Sequence, residues 1–182
     1  MNKPFVNKLS FTLEVKDLKL ESDQQESLDF KQAFVVFEID GKPLNKVGQE
    51  FDFAEIIASS FFGHDFYLFT CSCGVPGCAN YHNPVELAII EDQNLVYWTF
   101  PQEPGYKELE GEVYKFDLKA YLQLIESLQT QLIALNEKGV HVFSPEYTDC
   151  EDPPGLELLS LEKSIKNCLY YFANNIRREF LN

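Results

Sequence analysis

Alternation of apolar and polar positions near the start of the chain predicts a pair of β-strands. Apolar residues occupy every second position at the start of residues 9–20: Leu9, Phe11, Leu13 and Val15. This period of two is typical of a strand with one face in the core and one in water. The polar residues 21–27 predict an exposed loop, and residues 32–39 predict a second strand that ends at the Asp40-Gly41 turn. This order suggests an antiparallel pair, although the connection is too long for a tight hairpin.

Three later stretches have the period of amphipathic helices. Residues 52–62 carry apolar side chains at helical spacing, with Asp52 as the N-cap and Gly63 as the stop signal. Residues 117–136 start with an aspartate as N-cap and present one apolar stripe: Leu118, Tyr121, Leu122, Ile125, Leu128, Leu132 and Leu135. Residues 156–181 present another: Leu158, Leu161, Ile165, Cys168, Leu169, Phe172, Ile176 and Phe180.

Strands on both sides of a cysteine-rich turn predict a meander. Residues 65–71, 85–91 and 95–100 are rich in aromatic and aliphatic side chains that favour strands, and only short connections separate the last two. The cysteine turn then lies at one end of the sheet. Trp98 falls inside such a strand, where a single tryptophan is typical of core packing. Residues 140–143 predict a short edge strand.

Together these elements predict one α+β domain over residues 1–182, with the cysteine turn at 71–82. The expected architecture is an antiparallel meander-type sheet with helices 52–62, 117–136 and 156–181 packed on one face. A chain of 182 residues that is 45% hydrophobic is long and apolar enough to bury such a core.

The cysteine turn is the most chemically suggestive motif. If the preceding strand continues to Cys73, the side chains of Cys71 and Cys73 leave on the same face. The Gly-Val-Pro-Gly sequence that follows can turn Cys78 back towards them. His82 completes the pattern Cys-x-Cys-x4-Cys-x3-His, a set of four ligands of the kinds that tetrahedral zinc takes. We therefore expect a structural zinc knuckle in an interaction protein, provided that the strand bends between Cys71 and Cys73.

Two other interpretations of these cysteines stay open. Cys73 and Cys78 bracket a turn that could bring them within disulfide reach, with Cys71 as a resolving thiol. Such a redox site needs a cation or helix N-terminus to lower the thiol pKa, and no Lys or Arg lies between residues 47 and 106. Alternatively, the three small side chains simply pack around a glycine-rich turn.

The charge balance restricts the class of partner. Lys and Arg number 15 and Asp and Glu 29, so the net charge is −14. This field repels nucleic-acid phosphate and anionic lipid, which argues against nucleic-acid and membrane partners. An acidic face could instead bind a basic protein, as an immunity-type or antitoxin-type inhibitor does. The N-terminal residues lack an apolar signal region, and no run approaches the ~18 apolar residues of a membrane span, so we expect a cytoplasmic location.

No catalytic constellation is evident, and no catalytic residue is assigned. The three histidines, at positions 64, 82 and 141, have no nucleophile or base at a defined spacing. Glu55, His64 and Asp65 lie close together in sequence, but we interpret them as residues of a helix and the turn after it. Asp149, Glu151 and Asp152 lack the spacing of a calcium loop, so we interpret them as solvated charges.

The motifs around the cysteine turn resemble a family of small uncharacterised bacterial proteins with a TCxCGxxGC signature. The similarity covers about residues 66–130 and rests on these motifs: Leu68-x-Thr70-Cys71-x-Cys73-Gly74-x-x-Gly77-Cys78, Pro84-Val85, Val96-x-Trp98-x-Phe100 and Phe116-Asp117-x-x-x-Tyr121. The resemblance implies a bacterial cytosolic protein and names no activity.

Overall fold

The chain adopts an α+β fold in the computed structural model, which describes residues 5–21, 27–44, 50–70 and 83–142. Within these ranges it forms nine β-strands, two α-helices and two short 3-10 helices. The strands form three separate groups of four, two and three, and one pair of neighbouring strands in the largest group is parallel.

A long hairpin forms most of the four-stranded sheet. Strand β1 (Leu9–Glu21) pairs antiparallel with β2 (Ser27–Ile39) over its full length. Both predicted strands are confirmed, and both are longer than predicted, since β1 continues to Glu21 and β2 begins at Ser27. The difference arises because positions 28 and 30 continue the apolar alternation of β2 opposite positions 20 and 18 of β1.

Two short strands lie along the other edge of β2. Strand β3 (Lys42–Pro43) pairs antiparallel with the end of β2, next to the Asp40-Gly41 turn. Strand β9 (His141–Val142) pairs in parallel with Gln32 and Ala33 in the middle of β2. The predicted edge strand at residues 140–143 is therefore confirmed.

Helix α1 (Phe53–Phe62) connects β4 (Glu50–Phe51) to β5 (Phe69–Thr70), and these two strands pair antiparallel. Both predicted helix ends are confirmed. The Oδ1 atom of Asp52 accepts a hydrogen bond from the Glu55 amide at 3.0 Å. Gly63 ends the helix in the left-handed conformation, with φ 64° and ψ 35°.

Strands β6 (Glu86–Ile90), β7 (Leu95–Thr99) and β8 (Val113–Asp117) form an antiparallel meander. The 3-10 helices Glu91–Gln93 and Pro104–Leu109 lie in its two connections. The two strands predicted at 85–91 and 95–100 are confirmed, whereas β8 was not predicted. Of the strand predicted at 65–71 as part of the meander, the structure forms β5, which pairs with β4 instead of the meander, and an isolated antiparallel bridge between Phe66 and Val85.

Helix α2 (Leu118–Glu137) confirms the helix predicted at 117–136. The Oδ1 atom of Asp117 accepts from the Ala120 amide at 2.9 Å, as expected for an N-cap. Four residues of the predicted stripe are fully buried: Tyr121, Ile125, Leu128 and Leu132. Leu122 is 41% exposed, so the buried stripe is narrower than the apolar stripe. The predicted helix at 156–181 lies outside the described residues.

The core lies where both helices meet the sheets. Trp98 is fully buried, and its ring centroid lies 5.2 Å from those of Phe66 and Phe116 and 5.9 Å from that of Tyr121. The predicted core role of Trp98 is therefore confirmed. Burial raises the pKa of Tyr121, although the nearby Trp98 indole and Ser59 hydroxyl moderate the effect. Neither described helix is long and apolar enough to cross a membrane.

Candidate metal centre

The four predicted zinc ligands, Cys71, Cys73, Cys78 and His82, lie outside the described residues. The residues that flank them, Thr70 on one side and Asn83 on the other, are described. The positions of these two flanking residues in the fold fix the two ends of the cysteine segment in space. Among the described residues, no group of three or more His, Cys, Asp or Glu side chains could hold a metal ion.

The chain before the cysteine segment is fixed to the body of the protein at successive residues. Two carboxylates accept backbone hydrogen bonds here: Asp65 Oδ1 from the Leu87 amide at 2.9 Å, and Glu55 Oε2 from the Tyr67 amide at 3.2 Å. The Leu68 carbonyl accepts from the Asp52 amide at 3.1 Å. These contacts leave the strand before Cys71 little freedom to move.

Phe69 packs strand β5, the last described element before the cysteines, against the core. Its side chain is 1% exposed, and its ring centroid lies 5.1 Å from that of Phe51 and 6.0 Å from that of Tyr106. Since Phe69 and Thr70 also pair with β4, both backbone and side chain fix the point at which the segment begins.

Asn83, directly after the segment, is held by the loop between β7 and β8. Oε2 of Glu103 accepts from the Asn83 amide at 3.0 Å and from Asn83 Nδ2 at 3.2 Å. The Tyr106 hydroxyl donates to the Asn83 carbonyl at 2.9 Å. Glu103 is 7% exposed and Tyr106 3%, whereas Asn83 is exposed, so these hydrogen bonds are partly shielded from competing water.

Tyr106 therefore contacts both flanks, with its ring against Phe69 and its hydroxyl on Asn83. Two hydrogen bonds between Phe66 and Val85, at 2.8 and 3.1 Å, join the same two stretches of chain. The residues that flank positions 71–82 are therefore held close together by contacts among the described residues. These contacts lower the entropic cost of bringing the two ends of the segment together.

The electrostatic surroundings of the flanks are mainly negative. Glu55 accepts from the Tyr67 amide before the cysteine segment, and Glu103 accepts from Asn83 after it. In sequence, no Lys or Arg lies between residues 47 and 106. Nearby negative charge raises a thiol pKa, because it disfavours the thiolate. A divalent cation is attracted by the same charge and displaces the thiol protons on binding.

Lys107 is the first basic residue after this stretch, and its backbone is strained. It lines a crevice together with Phe69 and Tyr106, and has φ 51° and ψ −112°. Side chains with a β-carbon rarely adopt this conformation, and such strain often occurs near functional sites. The strained residue thus lies beside the contact that joins the two flanks.

The suggested acid and base residues have structural roles, as interpreted from the sequence. Glu55 and Asp65 bind backbone amides on the two flanks. Burial lowers the pKa of His64, and the neighbouring Asp65 carboxylate partly opposes this shift. His64 packs edge-on to Phe62, with ring centroids 6.2 Å apart.

Sequence analysis missed Glu103, Tyr106 and Asn83. The first two lie in a segment with two prolines and two glycines, which predicts an exposed loop, and a glutamate in such a loop gives no sign of burial. The contact between Tyr106 and Asn83 could not be inferred, because 23 residues separate the two in sequence.

No protein-family model, curated protein or solved structure matches this chain. The resemblance to the TCxCGxxGC proteins therefore stays a prediction.

Proposed function

We propose that this chain is a non-enzymatic interaction protein whose cysteine turn holds a structural zinc ion through Cys71, Cys73, Cys78 and His82. The observation that carries the proposal is the double contact of Tyr106, which holds Phe69 and Asn83 at one place. A loop with fixed, adjacent ends limits how far its side chains can separate, and this favours chelation by residues 71–82.

The negative surroundings favour zinc over thiol redox chemistry. A redox thiol needs a stabilised thiolate, and the stretch from 47 to 106 offers no Lys or Arg for that purpose. Zinc supplies the missing positive charge itself. With four protein ligands the coordination shell is closed, so the ion would stabilise the turn without a position for substrate.

The test is the zinc content of the purified full chain. We expect one zinc per chain after expression in zinc-replete medium, and its loss in Cys71→Ser, Cys73→Ser, Cys78→Ser and His82→Gln. The chain has five cysteines, so Cys150→Ser and Cys168→Ser are matched controls that should retain zinc. Absence of stoichiometric zinc, or its loss in the controls alone, would contradict the proposal.

Thiol counting separates zinc from a disulfide. After unfolding with a chelator and without reductant, a zinc site releases five titratable thiols, whereas one disulfide leaves only three of the five cysteines. Fewer than five thiols in protein purified under reducing conditions would favour the redox alternative.

The anchoring of the loop is tested at Glu103. Glu103→Ala removes the acceptor of both Asn83 donors, and we expect the zinc dissociation constant to rise about 10-fold to 100-fold, as for residues that orient metal ligands. Glu110→Ala is the matched control, because Glu110 is exposed in the same loop. Equal zinc affinity in the two variants would mean that the flank contacts do not support the site.

An inhibitor of a basic protein is the second candidate, and the distribution of exposed acids favours it. Glu86, Glu91 and Asp92 are exposed in and directly after β6, within the stretch that lacks Lys and Arg. Such a surface attracts a cationic partner and accelerates its association at low salt. The resemblance of the cysteine motif would place this role in the bacterial cytosol.

Charge reversal tests this second candidate. A basic partner recovered with the full chain should dissociate as salt increases and should be lost from the triple variant Glu86→Lys, Glu91→Lys and Asp92→Lys. The control reverses Glu126 and Glu137, which are exposed on α2. Retention of the partner by the triple variant would exclude this surface.

A further inference from the structure

The β1–β2 hairpin has two apolar faces. The core-facing side of β2 carries four buried residues in alternation: Ala33, Val35, Phe37 and Ile39. The residues between them point to the opposite side, which we name the second face. Its described side chains include Glu14, Lys16, Leu18, Gln32, Phe34 and Val36. A strand that is apolar on both sides is typical of burial on both sides.

Contacts between side chains confirm which residues share the second face. The Lys16 ammonium lies 4.9 Å from the ring centroid of Phe34 and 3.1 Å from Oε2 of Glu14. On the core-facing side the apolar pattern ends at Asp17 and Lys31, which are exposed and form a 4.0 Å ion pair.

Beyond that ion pair, Leu18 of β1 is partly buried. By register Leu18 belongs to the second face. The apolar strip described on this face therefore extends from Val36 through Phe34 to Leu18, with Gln32 between the last two.

Part of the second face, mainly along β2, is shielded from solvent although the core does not cover it, whereas Thr12, Glu14 and Lys16 of β1 are exposed. Gln32 retains only 8% exposure, and Leu18, Phe34 and Val36 are partly buried. Within the described part of the chain, none of these three apolar residues is among the partly buried side chains that pack against the core.

We propose that residues 156–181 cover the second face of the hairpin as an amphipathic helix. As a helix they would be about 39 Å long, close to the ~44 Å of thirteen residues in an antiparallel strand. Their eight-residue apolar stripe, from Leu158 to Phe180, would then run along the apolar strip of β2.

The position at which the described chain ends supports this cover. The last described strand, His141–Val142, pairs with Gln32 and Ala33, so the chain leaves the fold beside the middle of β2. The thirteen residues 143–155 can span up to about 45 Å. They are long enough to bring the next segment to the second face.

Charge is also complementary. Residues 156–181 contain four Lys or Arg and three Glu, so the segment is net positive in a chain of net charge −14. The second face carries Glu14 and Glu38 against Lys16. This proposal does not depend on zinc at the cysteine turn.

Hydrogen exchange of the full chain tests the cover. We expect amides at 158–180 to be protected, and Val36→Asp to reduce that protection at least 10-fold, because a carboxylate would be buried under the apolar stripe. Val113→Asp is the matched control, since Val113 is 56% exposed on β8. The fluorescence of Trp98, the only tryptophan, should be unchanged in both variants and reports that the core remains folded.

A milder variant and a second readout cover the case in which Val36→Asp does not fold. Cys168 lies on the apolar stripe, so its alkylation in the native chain should be slow and should become several-fold faster in Val36→Thr. Unprotected amides at 158–180 would overturn the proposal, and so would protection that is unchanged in both Val36→Asp and Val36→Thr. Protection that increases with protein concentration would assign the face to a second copy and would also overturn it.

Discussion

The meander and the long hairpin differ in how their strands bury apolar side chains. In β7 of the meander, Val96 and Trp98 are buried on the core side, whereas on the other side Leu95 is buried and Tyr97 and Thr99 are partly buried. In β2 of the hairpin, apolar residues occupy both sides over residues 33–37. The meander completes its packing against the body of the protein, whereas the hairpin presents a second apolar side that requires a cover.

This difference implies different energetic roles for outward-facing aromatic residues. Tyr97 and Phe34 both lie on the side away from the core beneath a lysine, with Lys115 at 5.9 Å and Lys16 at 4.9 Å from the ring centroids. Tyr97, like Phe34, is partly buried, and it lies on the outer side of the meander. Phe34 belongs to a strip that we propose to be covered.

The largest effect is expected at the centre of the meander core. Trp98→Ala should lower the free energy of unfolding by about 3–5 kcal/mol, because a fully buried ring leaves a cavity between three aromatic neighbours. Urea unfolding followed by circular dichroism measures this, and Val113→Ala on the exposed side should cost less than about 0.5 kcal/mol. Equal costs would mean that the meander is not one-sided.

A smaller effect distinguishes the two outward-facing aromatics. We expect Phe34→Ala to cost about 2 kcal/mol, roughly half the value of a fully buried ring. Tyr97→Ala should cost under about 1 kcal/mol, the value of an exposed cation–π contact. Urea unfolding of both variants in the full chain gives the difference, and a Tyr97 cost equal to or above that of Phe34 would contradict the cover.

The loop between β7 and β8 should gain stability from a change at Lys107. Lys107→Gly relieves a backbone strain of about 1–3 kcal/mol and adds unfolded-chain entropy worth about 0.5–1 kcal/mol. We expect a net gain of about 1 kcal/mol in thermal or urea unfolding. Lys107→Ala, which keeps the β-carbon, should show no such gain, and a gain in both variants would show that backbone strain is not the cause.

The smallest effect concerns pH and involves one histidine from each region. Burial lowers the pKa of His64, near the meander, and of His141, on the edge of β2, from the ordinary value of 6.5. The folded state therefore binds fewer protons than the unfolded state, and stability present above pH 6.5 is lost as pH falls towards the lowered values. His64→Gln and His141→Gln should each flatten the fall between about pH 7.5 and 5.5, above the ordinary carboxylate range. Unfolding free energies that rise on acidification would contradict the lowered pKa values.

Elements with local signals were predictable from the sequence. Asp52 and Asp117 cap helices that apolar periodicity had predicted, and Gly63 ends the first one. Strands β3 and β4 were missed because each has only two residues, which is too short to show a period. Strand β4 in addition depends on β5 as its partner, on the far side of helix α1. Strand β8 follows a proline-rich loop, so its five residues gave no separate signal.

The sequence suggested a set of zinc ligands, which stays a prediction, but it gave no sign of the contacts that hold the flanking residues. Residue chemistry and spacing suggested Cys71, Cys73, Cys78 and His82 as zinc ligands. The anchoring pair Glu103 and Tyr106 depends on hydrogen bonds that span 20 and 23 residues. Such contacts depend on the tertiary fold, and a buried glutamate and an exposed one look alike in a sequence.

Cobalt substitution tests the central claim most directly, because its spectrum reports which atoms bind the metal. The account predicts one equivalent of cobalt in the full chain, with thiolate charge-transfer bands and the d–d bands of a tetrahedral site. These bands should weaken in each of Cys71→Ser, Cys73→Ser and Cys78→Ser and stay unchanged in Cys168→Ser. A chain that binds no cobalt, or whose spectrum lacks thiolate bands, would contradict the account.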